Sequence, residues 1–256
     1  VLKLPSTGVS SIPKIMVEYR CKYRFQQNKV LSLGTMSEYA AASNWASTEI
    51  GSDYMVYVNG QVGQIYGYVS DGRYEVSDFK GFIDGKWVLN EGVADCSEVI
   101  GSKYLRPGAM KLKNIDGSED NKVTAKDRRI IGNTNPTHTG GFNINTTYKN
   151  FDLGLYFNWS YGNDVYNVNK IASLYGAKEK GVYENKLGFM KDSYKIYDVV
   201  DGKLVRLTTP EQLNAANVNA NLPLPYSENG VTSSIAIEDG SYLRSEHVDI
   251  GVFIAR

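Results

Sequence analysis

With 256 residues, 42% of them hydrophobic, the chain is long enough for one large β domain. Lys plus Arg and Asp plus Glu number 28 each, which excludes the net positive field of a nucleic-acid binder, so no nucleic-acid partner is expected. No apolar run approaches the roughly 18 residues of a transmembrane helix, a limit that does not touch the alternating strands of a membrane barrel.

Residues 14–25 (KIMVEYRCKYRF) alternate over their full length. Ile15, Val17, Tyr19, Cys21, Tyr23 and Phe25 form an apolar face. Glu18, Arg20, Lys22 and Arg24 charge the other, as in a half-exposed antiparallel sheet or a lumen-lining row. The alanines of residues 37–47 predict a short helix or an irregular loop. Residues 54–69 predict two short strands about an Asn59-Gly60 turn. Residues 71–104 read as a polar segment with turns at Asp71-Gly72 and Asp84-Gly85. Cys21 and Cys96 resemble no disulfide framework and are expected as unpaired thiols.

Residues 141–161 (GFNINTTYKNFDLGLYFNWSY) carry the strongest pattern. They predict two alternating strands joined at Lys149-Asn150, with Phe151, Leu153, Leu155, Phe157, Trp159 and Tyr161 on one face. A sandwich strand is about five or six residues long, whereas a membrane-crossing strand needs about nine to eleven. The second strand has the longer length, and aromatics at both its ends suit interfacial girdles. Weak helical character follows over 171–187, then a polar stretch to residue 228 that reads as a mobile loop. Residues 246–255 predict a last strand with Val248, Ile250, Val252 and Ile254 on one face.

One motif carries candidate metal chemistry. Residues 116–127 (DGSEDNKVTAKD) place Asp116, Ser118, Asp120, Thr124 and Asp127 at positions 1, 3, 5, 9 and 12 of a looped calcium site. Lys122 would supply the backbone carbonyl at position 7, Asn121 the positive φ at position 6, and Val123 an anchor into a core. Asp at position 12 is shorter than the usual Glu, so a metal-free acidic turn held by side-chain to backbone bonds competes with calcium. Elsewhere catalytic signatures are absent: His138 and His247 have no zinc-ligand spacing, and there is no P-loop, nucleophile elbow or H-E-x-x-H. The chain is therefore not expected to be an enzyme. Trp45, Trp87 and Tyr175 are aromatics that could stack on a sugar or peptide, or simply pack.

Residues 107–167 resemble the C-terminal region of SusC/RagA-type TonB-linked outer-membrane transporters. That family carries P-G-D-I-x-Y-x-D-x-N-G-D-G-x-I-x-x-x-D-R, then I-G-x-x-x-P, Y-K-N-F-D and G-N-D-x-Y-N. Here these correspond to Pro107-Gly108, residues 116–128, 131–136, 148–152 and 162–167. NKVLSLG (28–34), VGQIYGYVSDGRY (62–74) and IEDGSYLRSEHVDIGV (237–252) extend the similarity over most of the chain. Ala109-Met110, Ser118 and Asn121 depart from the family pattern.

The resemblance implies an all-β fold, part of a large antiparallel transmembrane β-barrel with long extracellular loops. It makes residues 1–256 a portion of the barrel's C-terminal half, without the plug and the final strands. It further implies outer-membrane import of glycans or oligopeptides in a Gram-negative bacterium. A SusD-like surface lipoprotein would act with the chain, and the TonB complex would act through the missing N-terminal part. The rival readings are a soluble calcium-stabilised β-sandwich that binds carbohydrate, and a surface adhesin.

Overall fold

Lys149 takes a left-handed conformation (φ 53°), and around it the chain reverses into a long hairpin. The computed structural model describes residues 15–44, 51–174, 187–225 and 230–253. In it His138–Tyr148 and Phe151–Tyr161, eleven residues each, pair antiparallel without a break from His138↔Tyr161 to Tyr148↔Phe151. Ile15–Phe25 pairs along the free side of the first strand, and Tyr242–Val252 along the free side of the second. The result is a four-stranded antiparallel sheet of eleven-residue strands. At about 3.4 Å per residue each strand runs roughly 37 Å, or about 26 Å along the normal if tilted by 45°. That matches the apolar band of an outer-membrane protein, about 25 Å.

The last strand starts four residues earlier than the alternation alone predicts, at Tyr242 rather than 246. The reason is a bulge. Tyr156 pairs His247 while Phe157 pairs Ser245, so Glu246 is an extra residue with no partner in the ladder. The insertion shifts the phase of alternation, and Leu243 comes opposite Trp159 instead of joining the polar side. Residues 254 and 255 of the predicted strand, and Lys14 of the first, lie outside the described residues.

The chain divides into two units. The sheet belongs to the first, with Val1–Lys29, Asn133–Val165 and Asp239–Arg256. Val30–Gly132 and Tyr166–Glu238 make the second, which has its own core. Tyr74, Cys96, Ile100, Leu112 and Val123 are fully buried there, with Phe79, Leu174 and Val231 packed alongside. The polar segment 71–104 is part of this core. It supplies several of these core residues and a hairpin, Phe79–Ile83 with Lys86–Leu89, whose Asp84-Gly85 turn takes positive φ at both positions as the sequence predicts.

Three further expectations need correction or narrowing. Glu38–Ala41 is a strand paired with Tyr54–Tyr57, because a neighbouring edge outweighs alanine's helix preference. Tyr54–Tyr57 and Gln64–Gly67 do pair as predicted, with Asn59 at φ 72° between them. The stretch read as a mobile loop contains the helix Pro210–Ala216, in which Leu213 is buried, followed by buried Asn217 and Leu224. Its start signals lie just ahead: Thr209 accepts from the Gln212 backbone, Gln212 reaches back, and Pro210 opens the first turn. Helix Val168–Leu174 realises part of the 171–187 expectation, and 175–186 lie outside the described residues.

The fold is mostly β with few helices. The described residues close no barrel, since Ile15–Phe25 and Tyr242–Val252 each pair on one side only. Among them no helix is long and apolar enough to cross a membrane.

Candidate functional site

The sheet is two-faced, and register rather than sequence distance assembles each face. Tyr19, Ile144, Leu155 and Val248 lie in one row across the four strands; Val17, Thr146, Leu153 and Ile250 lie in the next. Rings close the ends. Tyr148 pairs Phe151 at the turn end, and Tyr23, Phe25, His138, Trp159 and Tyr161 gather at the other. There His138 stacks between Tyr23 and Tyr161, centroids 5.1 and 5.0 Å away, and accepts a hydrogen bond from Trp159 Nε1 at 3.1 Å. Gly140 is required beneath this group, because a Cβ there would overlap the Trp159 ring.

This apolar face is uncovered: Val17 is 50%, Leu153 39% and Ile250 75% exposed. A β-sandwich would bury those side chains beneath a second sheet. The opposite face carries Arg20, Lys22, Arg24, Asn143, Asn158 and Glu246 beside a groove of about 1030 Å³. Its polar groups bond one another. Glu18 accepts from Arg20 at 2.8 Å, Tyr156 Oη donates to Asn145 at 3.2 Å, and Asn158 donates to the bulged Glu246. The bulge therefore also adds an acid to a row rich in cations.

All six residues of the predicted metal loop fall within one turn of the second unit. Asn121 has φ 53°, and Val123 is fully buried, as the spacing implies. Asp127, however, is wholly inside. Its Oδ1 accepts from the backbone N–H of Ile115 (2.6 Å) and Asp116 (2.9 Å), and its Oδ2 from that of Thr124 (2.8 Å). Burial alone would raise its pKa, but these three bonds together with the Arg129 charge hold it below the usual aspartate value. Thr124 Oγ1 is likewise engaged, capping the short 3-10 turn Ala125–Asp127.

Asp116 accepts from Ser118 N–H (2.8 Å), and Asp120 from Ser118 Oγ (2.8 Å) and Lys122 N–H (3.1 Å). Each thereby uses one oxygen of its carboxylate. Backbone bonding to Lys122, then the Ser118 hydroxyl, lowers the Asp120 pKa. Among the described residues no three His, Cys, Asp or Glu side chains form a metal-binding group. The donors at positions 9 and 12 fit a self-satisfied turn, and Asp116 and Asp120 are the pair with an oxygen to offer a cation.

Trp87 is half-buried, edge-on to Phe79 and Phe82 at 5.5 and 5.7 Å. Trp45 and Tyr175 lie outside the described residues. Cys21 is exposed on the apolar face, while Cys96 is buried. Cys96 Sγ accepts from Leu112 N–H at 3.3 Å, and burial pushes its thiol pKa up, which suits a structural thiol. Arg128 has no local pattern to reveal it. Its guanidinium lies 4.4 Å over the Tyr66 ring and donates to the carbonyls of Ser52 and Tyr66.

No family model matches the chain. It is 27% identical over 193 residues to "TonB-dependent receptor P3" of Formosa agariphila, covering 74% of this chain and 15% of that protein. It is 26% identical over 163 residues to "TonB-dependent receptor P39" of the same organism, covering 56% of this chain and 14% of that one. Among solved structures, a RagAB peptide transporter superposes with a TM-score of 0.56 over 91% of this chain and 20% of its own, at 13% identity. The RagAB peptide importer in its closed-closed state gives 0.54 over 92% and 20%, also at 13% identity. The resemblance to SusC/RagA-type TonB-dependent transporters holds. The relatives are receptors and transporters by name, not enzymes, and the RagAB likeness speaks for fold alone. The chain spans about a seventh of the length of the curated relatives it matches.

Proposed function

We propose that this chain is a wall segment of a TonB-dependent importer in the outer membrane of a Gram-negative bacterium. The observation that carries the proposal is the two-faced sheet: an uncovered apolar side with rings at both ends, backed by a side of Arg, Lys and Asn. The apolar side would meet lipid and the other a watery lumen. The chain's two long excursions, 26–137 and 162–241, both leave from the end marked by Phe25, His138 and Tyr161. A two-residue turn closes the opposite end. The end with the excursions would be extracellular, and the end with the turn periplasmic.

As parts of the same reading, a SusD-like surface lipoprotein would act at the extracellular end, and TonB through a plug domain. The cargo would be a glycan or an oligopeptide. At the acidic loop, calcium is proposed only as a weak ligand of Asp116 and Asp120. Calorimetric titration into the chelator-treated protein should then saturate near millimolar calcium. No heat in that range overturns the metal site.

Chemical labelling tests the wall reading in intact outer membranes of the source bacterium. Cys21 projects from the apolar face and Lys22 from the polar one. A charged, membrane-impermeant maleimide should leave Cys21 unmodified and modify a Lys22→Cys variant, with peptide mapping to locate the label. Equal modification of both positions overturns the proposal.

A further inference from the structure

Two cavities of the second unit adjoin and share Phe82, Trp87, Arg106 and Arg206. The first, about 230 Å³, is apolar, with Pro107, Ile196, Leu207 and Leu213 completing its wall. The second, about 500 Å³, adds Lys86 and Lys103, so four cationic side chains surround it. Among the described residues no carboxylate lines either cavity.

The elements that make this site are each specified locally. The Asp84-Gly85 turn brings Lys86 and Trp87 back beside Phe82. The capped helix Pro210–Ala216 turns Leu213 inward, and the hairpin strand Lys203–Arg206 ends in Arg206. Arg106 donates to the Lys103 carbonyl, which fixes its guanidinium at the junction. The strand that carries Arg206 is exposed throughout, so its guanidinium stays open to a ligand from solution. A chain with zero net charge thus sets four cations around one hollow, with no described acid in the wall to answer them.

We propose that the joined cavities bind the carboxylate of a compact apolar acid. One aromatic or branched aliphatic group fills the apolar cavity against Trp87 and Leu213, while its carboxylate meets the Arg106 and Arg206 guanidiniums. Charge complementarity selects the anion and the small apolar volume limits the body to a single group. The acid is either free or the last residue of a peptide, since both present the same two features. This site is independent of the membrane reading, and its test does not depend on transport.

The test is calorimetric titration of the full-length, detergent-solubilised protein with 3-phenylpropionate, its neutral amide, and N-acetyl-Ala-Ala-Phe. The acid or the peptide should bind saturably, the amide at least about tenfold more weakly, and Arg206→Gln should cost a similar factor. The tighter of the two ligands identifies the source of the carboxylate. Phe82→Ala should weaken both without abolishing salt dependence. Absence of saturable binding, equal affinity for the amide, or an unchanged affinity in Arg206→Gln each overturns the assignment.

Discussion

Asp127 holds three backbone donors with one carboxylate, and its neutral or shortened replacements cannot. Asp127→Ala should cost about 3 kcal/mol or more, because each buried N–H left without an acceptor costs roughly 1–3 kcal/mol. Asp127→Asn should lose somewhat less, since its amide keeps one acceptor. Thermal unfolding of the full chain in detergent measures both. The sign with pH follows from the lowered pKa. The stabilisation is complete above the unfolded aspartate value of about 3.9 and is lost as pH falls through the lower folded value. Wild type should therefore lose stability steeply below about pH 4, and Asp127→Asn should lose less over the same interval. Gly140 marks a second sensitive residue. Gly140→Val should force Trp159 off His138 and cost roughly 1–3 kcal/mol, read by indole fluorescence and by melting.

At the scale of elements, the bulge at Glu246 is the feature with the largest leverage. Deleting Glu246 alone would leave a regular ladder with both faces intact, whereas deleting Ser245 and Glu246 together would put Leu243 on the polar face and Arg244 on the apolar one. In a lipid-facing strand such an Arg costs up to about 2–4 kcal/mol. The expected outcome of the double deletion is a sharp fall in the heat-modifiable folded band on electrophoresis. The single deletion of Glu246, which removes only the unpaired residue, should retain most of it. No change in the folded band of the double deletion would show that the face assignment is wrong.

The hairpin is legible in the residues because strict alternation over eleven positions fits a strand and no helix, and register then follows from a two-residue turn. The bulge is not, since it is visible only against the partner strand. The acidic loop is legible in spacing, positive φ and anchor. The use of its last carboxylate is not, because the Ile115 and Asp116 amides reach it only once the turn is folded. Residues 71–104 look merely polar in sequence for a related reason. Their core members, Tyr74, Phe79, Cys96 and Ile100, obey no period, and they are assembled with Leu112, Val123 and Val231 from remote parts of the chain.

For the whole molecule, division into a long-stranded sheet and a separately cored second unit predicts two stabilities. Hydrogen exchange in detergent should protect Leu112 and Val123 independently of the amides of 142–158. Stripping lipid or detergent should expose the sheet first, since its apolar side is covered by nothing else within the described chain. Simultaneous loss of both sets would refute separate cores.

The two outer strands of the sheet are unlike each other, and that difference bears on how the polypeptide behaves when its neighbours are withheld. Ile15–Phe25 places Arg20, Lys22 and Arg24 at every second position, so a second copy approaching that flank is repelled. Tyr242–Val252 offers Val248, Ile250 and Val252 with no such run of cations among them, and its ladder is open on that side. Removed from its surroundings, the polypeptide should polymerise from this second flank, giving ribbons that bind thioflavin and that a lysine at Ile250 suppresses.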